Sequence, residues 1–110
     1  MERDFLDKLF QVLRNFTEYG NYQGKIDKAV AAIKKSYPDR SKEELTALFQ
    51  NCVSAYKGAI ELVKANVAYY ASLSKDELEA ETQFKKKHSE VPDQMLQWIL
   101  GWIYHWHYER

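Results

Sequence analysis

The residues nearest to chemistry crowd the C-terminal end, where His105-Trp106-His107-Tyr108-Glu109 brings two imidazoles, two rings and a carboxylate into five positions. Two histidines so close suggest a metal. On a helix, however, positions two apart point roughly 200° away from one another, so His105 and His107 cannot grip one ion while the helix holds. His88 belongs to a different predicted helix. The chain has neither the Glu-x-x-His pairs of di-iron bundles nor a His-Glu-x-x-His run. No metal and no cofactor is expected, and the histidines read as favourable partners of a helix C-terminus.

A nucleophile is equally hard to assemble. The single cysteine, Cys52, falls on an inward apolar stripe. A thiol buried among apolar groups is inert and its pKa rises. There is no glycine-rich phosphate loop, no Gly-x-Ser-x-Gly and no nucleotide fingerprint. Glu43 and Glu44 are accounted for by helix capping, and Glu61 lies off its helix's apolar stripe. No pair of carboxylates is placed in an apolar pocket, where general acid–base work requires a raised pKa. The expectation is a protein that is not an enzyme and has no catalytic residues.

Charge points the same way. Sixteen basic side chains balance sixteen acidic ones, so no bulk charge draws the chain to nucleic acid or an anionic membrane. The span from 25 to 42 is basic through Lys25, Lys28, Lys34, Lys35, Arg40 and Lys42. It lacks the interleaved aromatics of base stacking and reads as a solvated helix face, so nucleic acid is not expected as a partner.

What stands out is the side of the last helix opposite its apolar face. Gln97, Gly101, Tyr104 and Tyr108 align there, with Trp98 and His105 on the flank. An ordinary solvated face carries lysine and glutamate, and this one has none before Glu109. Either the helix is buried all round, or this side binds a partner. Tryptophan and tyrosine give a large contact area with few torsions, and Gly101 would let a partner backbone approach closely. The predicted partner-binding set is therefore Trp98, Gly101, Tyr104, His105 and Tyr108. Asp76, Glu77, Glu79 and Glu81 are expected to steer a basic partner electrostatically.

The elements that must position these residues are all helices. With 110 residues, 45% of them hydrophobic and 29% charged, the chain is long enough for a single globular domain over 1–110. Apolar residues recur at intervals of three and four nearly throughout. The pattern predicts an all-α bundle of four to five helices. The first covers about 3–18, with Phe5, Leu6, Leu9, Phe10, Val12, Leu13 and Phe16 on its apolar side. The second covers about 25–37, with Tyr22 joining its face and Pro38 stopping it. A long central helix of about 42–72 follows. Ser41-Lys42-Glu43-Glu44 opens it as a capping box, and its stripe runs from Leu45 to Tyr70. Gly58 lies off that stripe and marks a close contact or a mild bend. A second capping box, Ser74-Lys75-Asp76-Glu77, opens a fourth helix of about 75–88, the least apolar of the set. Pro92 is placed as the first residue of the aromatic-rich fifth helix, which runs to about Tyr108.

No stretch carries a family motif. The leading functional expectation is a non-enzymatic protein-binding domain, such as an inhibitor or an immunity-type protein that acts by occluding its partner's surface. The alternative is a small-molecule or lipid carrier, whose cavity would be walled by Tyr56, Tyr70, Trp102 and Trp106, four of the sixteen aromatic residues. A homodimer through the aromatic face is a further expectation. The N-terminus has no apolar signal stretch, and the most apolar window, Met95 to Trp106, falls short of the roughly 20 residues of a membrane span. No membrane partner and a cytoplasmic location are expected.

Overall fold

The computed structural model describes residues 2–72 and 76–109. The fold is all-α, and every regular element among the described residues is helical: α1 (Arg3–Thr17), a short turn (Asn21–Gly24), α2 (Ile26–Ser36), α3 (Lys42–Ala65), α4 (Val67–Ala71), α5 (Glu79–Lys87), α6 (Asp93–Tyr104) and a π-helical turn (His105–Glu109). The chain forms two compact units, Met1–Val53 and Ser54–Arg110, whose boundary falls within α3.

In the N-terminal unit, α1 buries Phe5, Leu6, Leu9, Val12 and Leu13. Both predicted rows contribute, because a sector wider than 100° faces inward. α2 buries Ala29, Val30 and Ile33, and the first half of α3 buries Leu45, Leu48, Phe49, Cys52 and Val53. Aromatic edges lock this core. Phe5 meets Tyr37 at 5.2 Å and 89°, and Phe16 meets Phe49 at 5.3 Å and 88°. The Arg40 guanidinium lies 3.8 Å from the Phe5 ring centroid and donates to Glu44 at 3.3 Å.

Two local expectations change here. Tyr22 does not extend the face of α2. It sits in the turn, where Gly20, Tyr22, Gln23 and Gly24 all take left-handed φ between 56° and 68°. Two glycines adopt this readily, whereas a side chain costs about 1 kcal/mol or more. At the start of α3, Ser41 Oγ accepts the Glu44 N–H at 3.1 Å as predicted, but the Glu44 carboxylate turns to Arg40, so the box is closed by an ion pair on one side.

In the C-terminal unit, Ala55, Tyr56, Ala59 and Val63 of α3 are buried. Gly58 is a close-contact position: a Cβ there would lie 3.2 Å from His88 Nε2 and 3.5 Å from a Phe84 ring carbon. The predicted long helix is interrupted at Asn66. Its side-chain amide donates to the Leu62 carbonyl at 2.9 Å, and its backbone leaves helical values (φ −133°, ψ 35°). Such side-chain competition for backbone carbonyls is why asparagine is a poor interior helix residue. α5 begins at Glu79, later than predicted, with Leu78 in extended conformation before it. Ser74 and Lys75 of the predicted capping box lie outside the described residues. The Asp76 carbonyl accepts the Tyr69 hydroxyl at 2.6 Å. As its composition implied, α5 buries one side chain, Phe84. Pro92 precedes the first turn of α6 instead of opening it, with φ −54° and ψ 138°, and its carbonyl accepts the Leu96 N–H.

No helix among the described residues is long and apolar enough to cross a membrane.

Candidate partner-binding face

α6 is positioned by its inner side. Met95, Leu96, Ile99, Leu100 and Ile103 are buried, four of them to 2% exposure or less. This fixes the rotation of the helix, and the remaining positions must then turn outward. Gln97 and Gly101 are exposed, Trp98 and Tyr104 are half-buried, and His105 and Tyr108 of the π-helical turn are exposed. Of the two readings open for this helix, burial all round is therefore not what the fold adopts.

Gly101 is the least ordinary member of the face. It lies in the helix interior, where glycine is about 1 kcal/mol worse than alanine. Nothing stands within 4 Å of where its Cβ would be. Intramolecular packing thus gives no reason for a glycine, in contrast with Gly58. Its carbonyl accepts the His105 N–H as the helix passes into the wider π turn.

The aromatic rings around this face are ordered by contacts with one another. Tyr104 lies 6.4 Å from Tyr70, which meets Tyr69 edge-on at 5.1 Å. Trp102 and Trp106 stack at 5.2 Å and 11°. The Tyr70 hydroxyl reaches Glu81 at 3.5 Å. Burial raises the Tyr70 pKa, and the neighbouring Glu81 charge raises it further. Of the residues expected to wall a carrier cavity, Tyr56 is 2% exposed and fills the core, and the two tryptophans cover each other.

The acidic set is only partly available for steering. Asp76, Glu77 and Glu79 are exposed, but Glu81 is half-buried and lies 3.7 Å from Lys85. Lys85 also reaches Asp93 at 3.8 Å. Asp76, Glu77 and Glu81 line an open cleft of about 220 Å³ together with Tyr69, Leu78 and Lys85.

In the N-terminal unit the basic span borders a cleft of about 310 Å³ floored by Val30 and Ala31. Two of its three lining lysines, Lys28 and Lys34, are engaged by their own chain. Lys34 Nζ donates to the Pro38 and Arg40 carbonyls at 3.1 and 2.7 Å, and Lys28 Nζ donates to Gln23 at 2.6 Å. Cys52 is fully buried, and burial pushes its thiol up to about 12. His105 and His107 fall within the π turn, and no cluster of three metal-ligating side chains occurs among the described residues.

Comparison with family models, with curated proteins and with solved structures returns no match.

Proposed function

We propose that this chain is a non-enzymatic protein-binding domain whose outer α6 face docks a partner protein. It works as an inhibitor or immunity-type protein does, by covering a surface. The observation that carries the reading is Gly101: an exposed interior-helix glycine with an open Cβ direction, set between the half-buried rings of Trp98 and Tyr104. A helix surface left uncharged, ring-bearing and notched at its middle suits close approach by another backbone. A cytoplasmic setting is part of this reading, and a lone buried thiol fits a reducing compartment.

The test is capture of a stoichiometric partner from the native lysate by the full chain, compared with a Trp98→Ala/Tyr104→Ala double variant of unchanged helicity. Loss of that partner supports the face as the docking site. Undiminished capture by the double variant refutes it.

A further inference from the structure

Three ammonium groups of the basic span, those of Lys28, Lys34 and Lys42, border the cleft of about 310 Å³ between α2 and the first residue of α3. None of the three forms an ion pair with a described residue. Lys28 and Lys34 give their hydrogen bonds to neutral acceptors, the Gln23 side chain and the Pro38 and Arg40 carbonyls. Such acceptors hold an ammonium in place without cancelling its charge. An ammonium has three donors, so Lys34 keeps one N–H beyond its two carbonyls. Asp27 is the one carboxylate in the lining, which leaves a surplus of positive charge around an apolar floor of Val30 and the exposed Ala31. We infer that this cleft binds a small amphipathic carboxylate, with its head at Lys34 and Lys42 and its apolar body over Ala31. No residue of this site belongs to the α6 face.

The polarity of the cleft sets the direction of the ligand. Asp27, Ala31 and Lys34 lie within about 60° of one another around α2, with Lys34 about 10 Å along the axis from Asp27 and about 4.5 Å from Ala31. At the first end Asp27 and Lys28 offset each other. At the other end Lys34 holds the Arg40 carbonyl at 2.7 Å, and Lys42 follows Arg40 by two residues. That end carries two ammonium groups and no lining carboxylate. An anionic head is attracted there and repelled by Asp27 at the opposite end. Between the ends, the Ala31 methyl and the methylene stem of Lys34 offer apolar surface to the body of the ligand. The cleft is at the small end of ligand sites. Its cations are compact point charges with no arginine fork among them, which suits a carboxylate head.

An NMR titration of the full chain at low salt tests this, with octanoate as the probe and acetate and octanol as comparators. Octanoate is expected to give saturable shifts centred on the backbone amides of 27–34 and Lys42, and to bind more weakly as salt is raised. Acetate has the head without the body and is expected to bind about tenfold more weakly or worse. Octanol has the body without the head and is expected to lose up to about fivefold. Lys42→Gln should lose a similar factor. Ala31→Glu should lose more, because it places a carboxylate where the body lies. Both positions are exposed and both replacements are good helix formers, so each variant should keep its helicity by circular dichroism. Octanoate shifts that are absent, fail to saturate or centre elsewhere overturn the proposal. Acetate or octanol binding as tightly as octanoate overturns it too, as does undiminished octanoate binding by either folded variant.

Discussion

The two glycines of the long helices should respond oppositely to the same substitution. Gly58 and Gly101 both lie inside helices, so replacement by leucine gains nearly the full difference in helix propensity, about 0.8–1 kcal/mol at each. What differs is the space. At Gly101 no atom lies within 4 Å of the new Cβ, whereas at Gly58 the first carbon alone meets His88 Nε2 at 3.2 Å and Phe84 at 3.5 Å. Three further carbons must enter that gap, and overpacking of this kind costs about 1–3 kcal/mol. Gly101→Leu should therefore stabilise by up to about 1 kcal/mol, and Gly58→Leu should destabilise by up to about 2 kcal/mol once the propensity gain is subtracted. For a chain of this length each kcal/mol corresponds to roughly 4 °C in thermal midpoint. Thermal unfolding followed by circular dichroism, in dilute protein to exclude association, reads both shifts. Equal shifts of the same sign at the two sites would refute the packing argument. A destabilising Gly101→Leu would show that the space beside α6 is occupied within the monomer, and would remove the main support for docking there.

Three further outcomes follow from other parts of the chain. Gly24→Ala should cost about 1 kcal/mol, because φ is +68° there although space is open, while Gln23→Gly should gain a similar amount; denaturant unfolding of the two variants checks the opposite signs. Cys52 should resist a thiol reagent in the native protein and react stoichiometrically in denaturant, because burial keeps its thiol protonated; prompt reaction of the folded chain would contradict this. His88 should titrate below its ordinary value, since burial against Phe84 and the backbone of α3 at Gly58 disfavours its charged form, with Lys87 adding to the effect. The unfolded chain then takes up the proton first as pH falls through about 6.5, so this contribution to stability is present above that range, declines as pH drops, and is fully lost below the folded-state value. The difference in unfolding free energy between wild type and His88→Gln should narrow on acidification, and a His88 ring that titrates at or above 6.5 by NMR would sink the assignment.

The helical class and most of the core were legible because period-three-and-four apolar spacing is a geometric requirement of a buried helix face. Phe5, Leu9, Ile33, Phe49, Val63 and Ile99 all fall where that rule places them. The Ser41 cap was equally readable, since a serine three residues before a glutamate satisfies a free amide locally. The misses share a physical cause: a side chain that competes with the helix for backbone groups, or a backbone conformation that periodicity does not report. Asn66 sits on an otherwise continuous stripe, and its side-chain amide donates a hydrogen bond to the Leu62 carbonyl where the backbone leaves the helix. Tyr22 matches the spacing of α2, but the glycines on either side at 20 and 24 carry the chain through a left-handed turn that includes it. Those two glycines were the available signal. For the candidate face, residue types marked the right helix side, while exposure depended on which neighbours cover it and could be read only from the fold.

The most direct test of the outer α6 face is site-specific photo-cross-linking in the native cell. A photoreactive phenylalanine analogue placed at Tyr104 or Tyr108 should yield one discrete protein adduct. The same group placed at Gln50, an exposed position on α3, should yield none. Adducts from Gln50 matching those from Tyr104, or no adduct from either α6 position, would contradict the account.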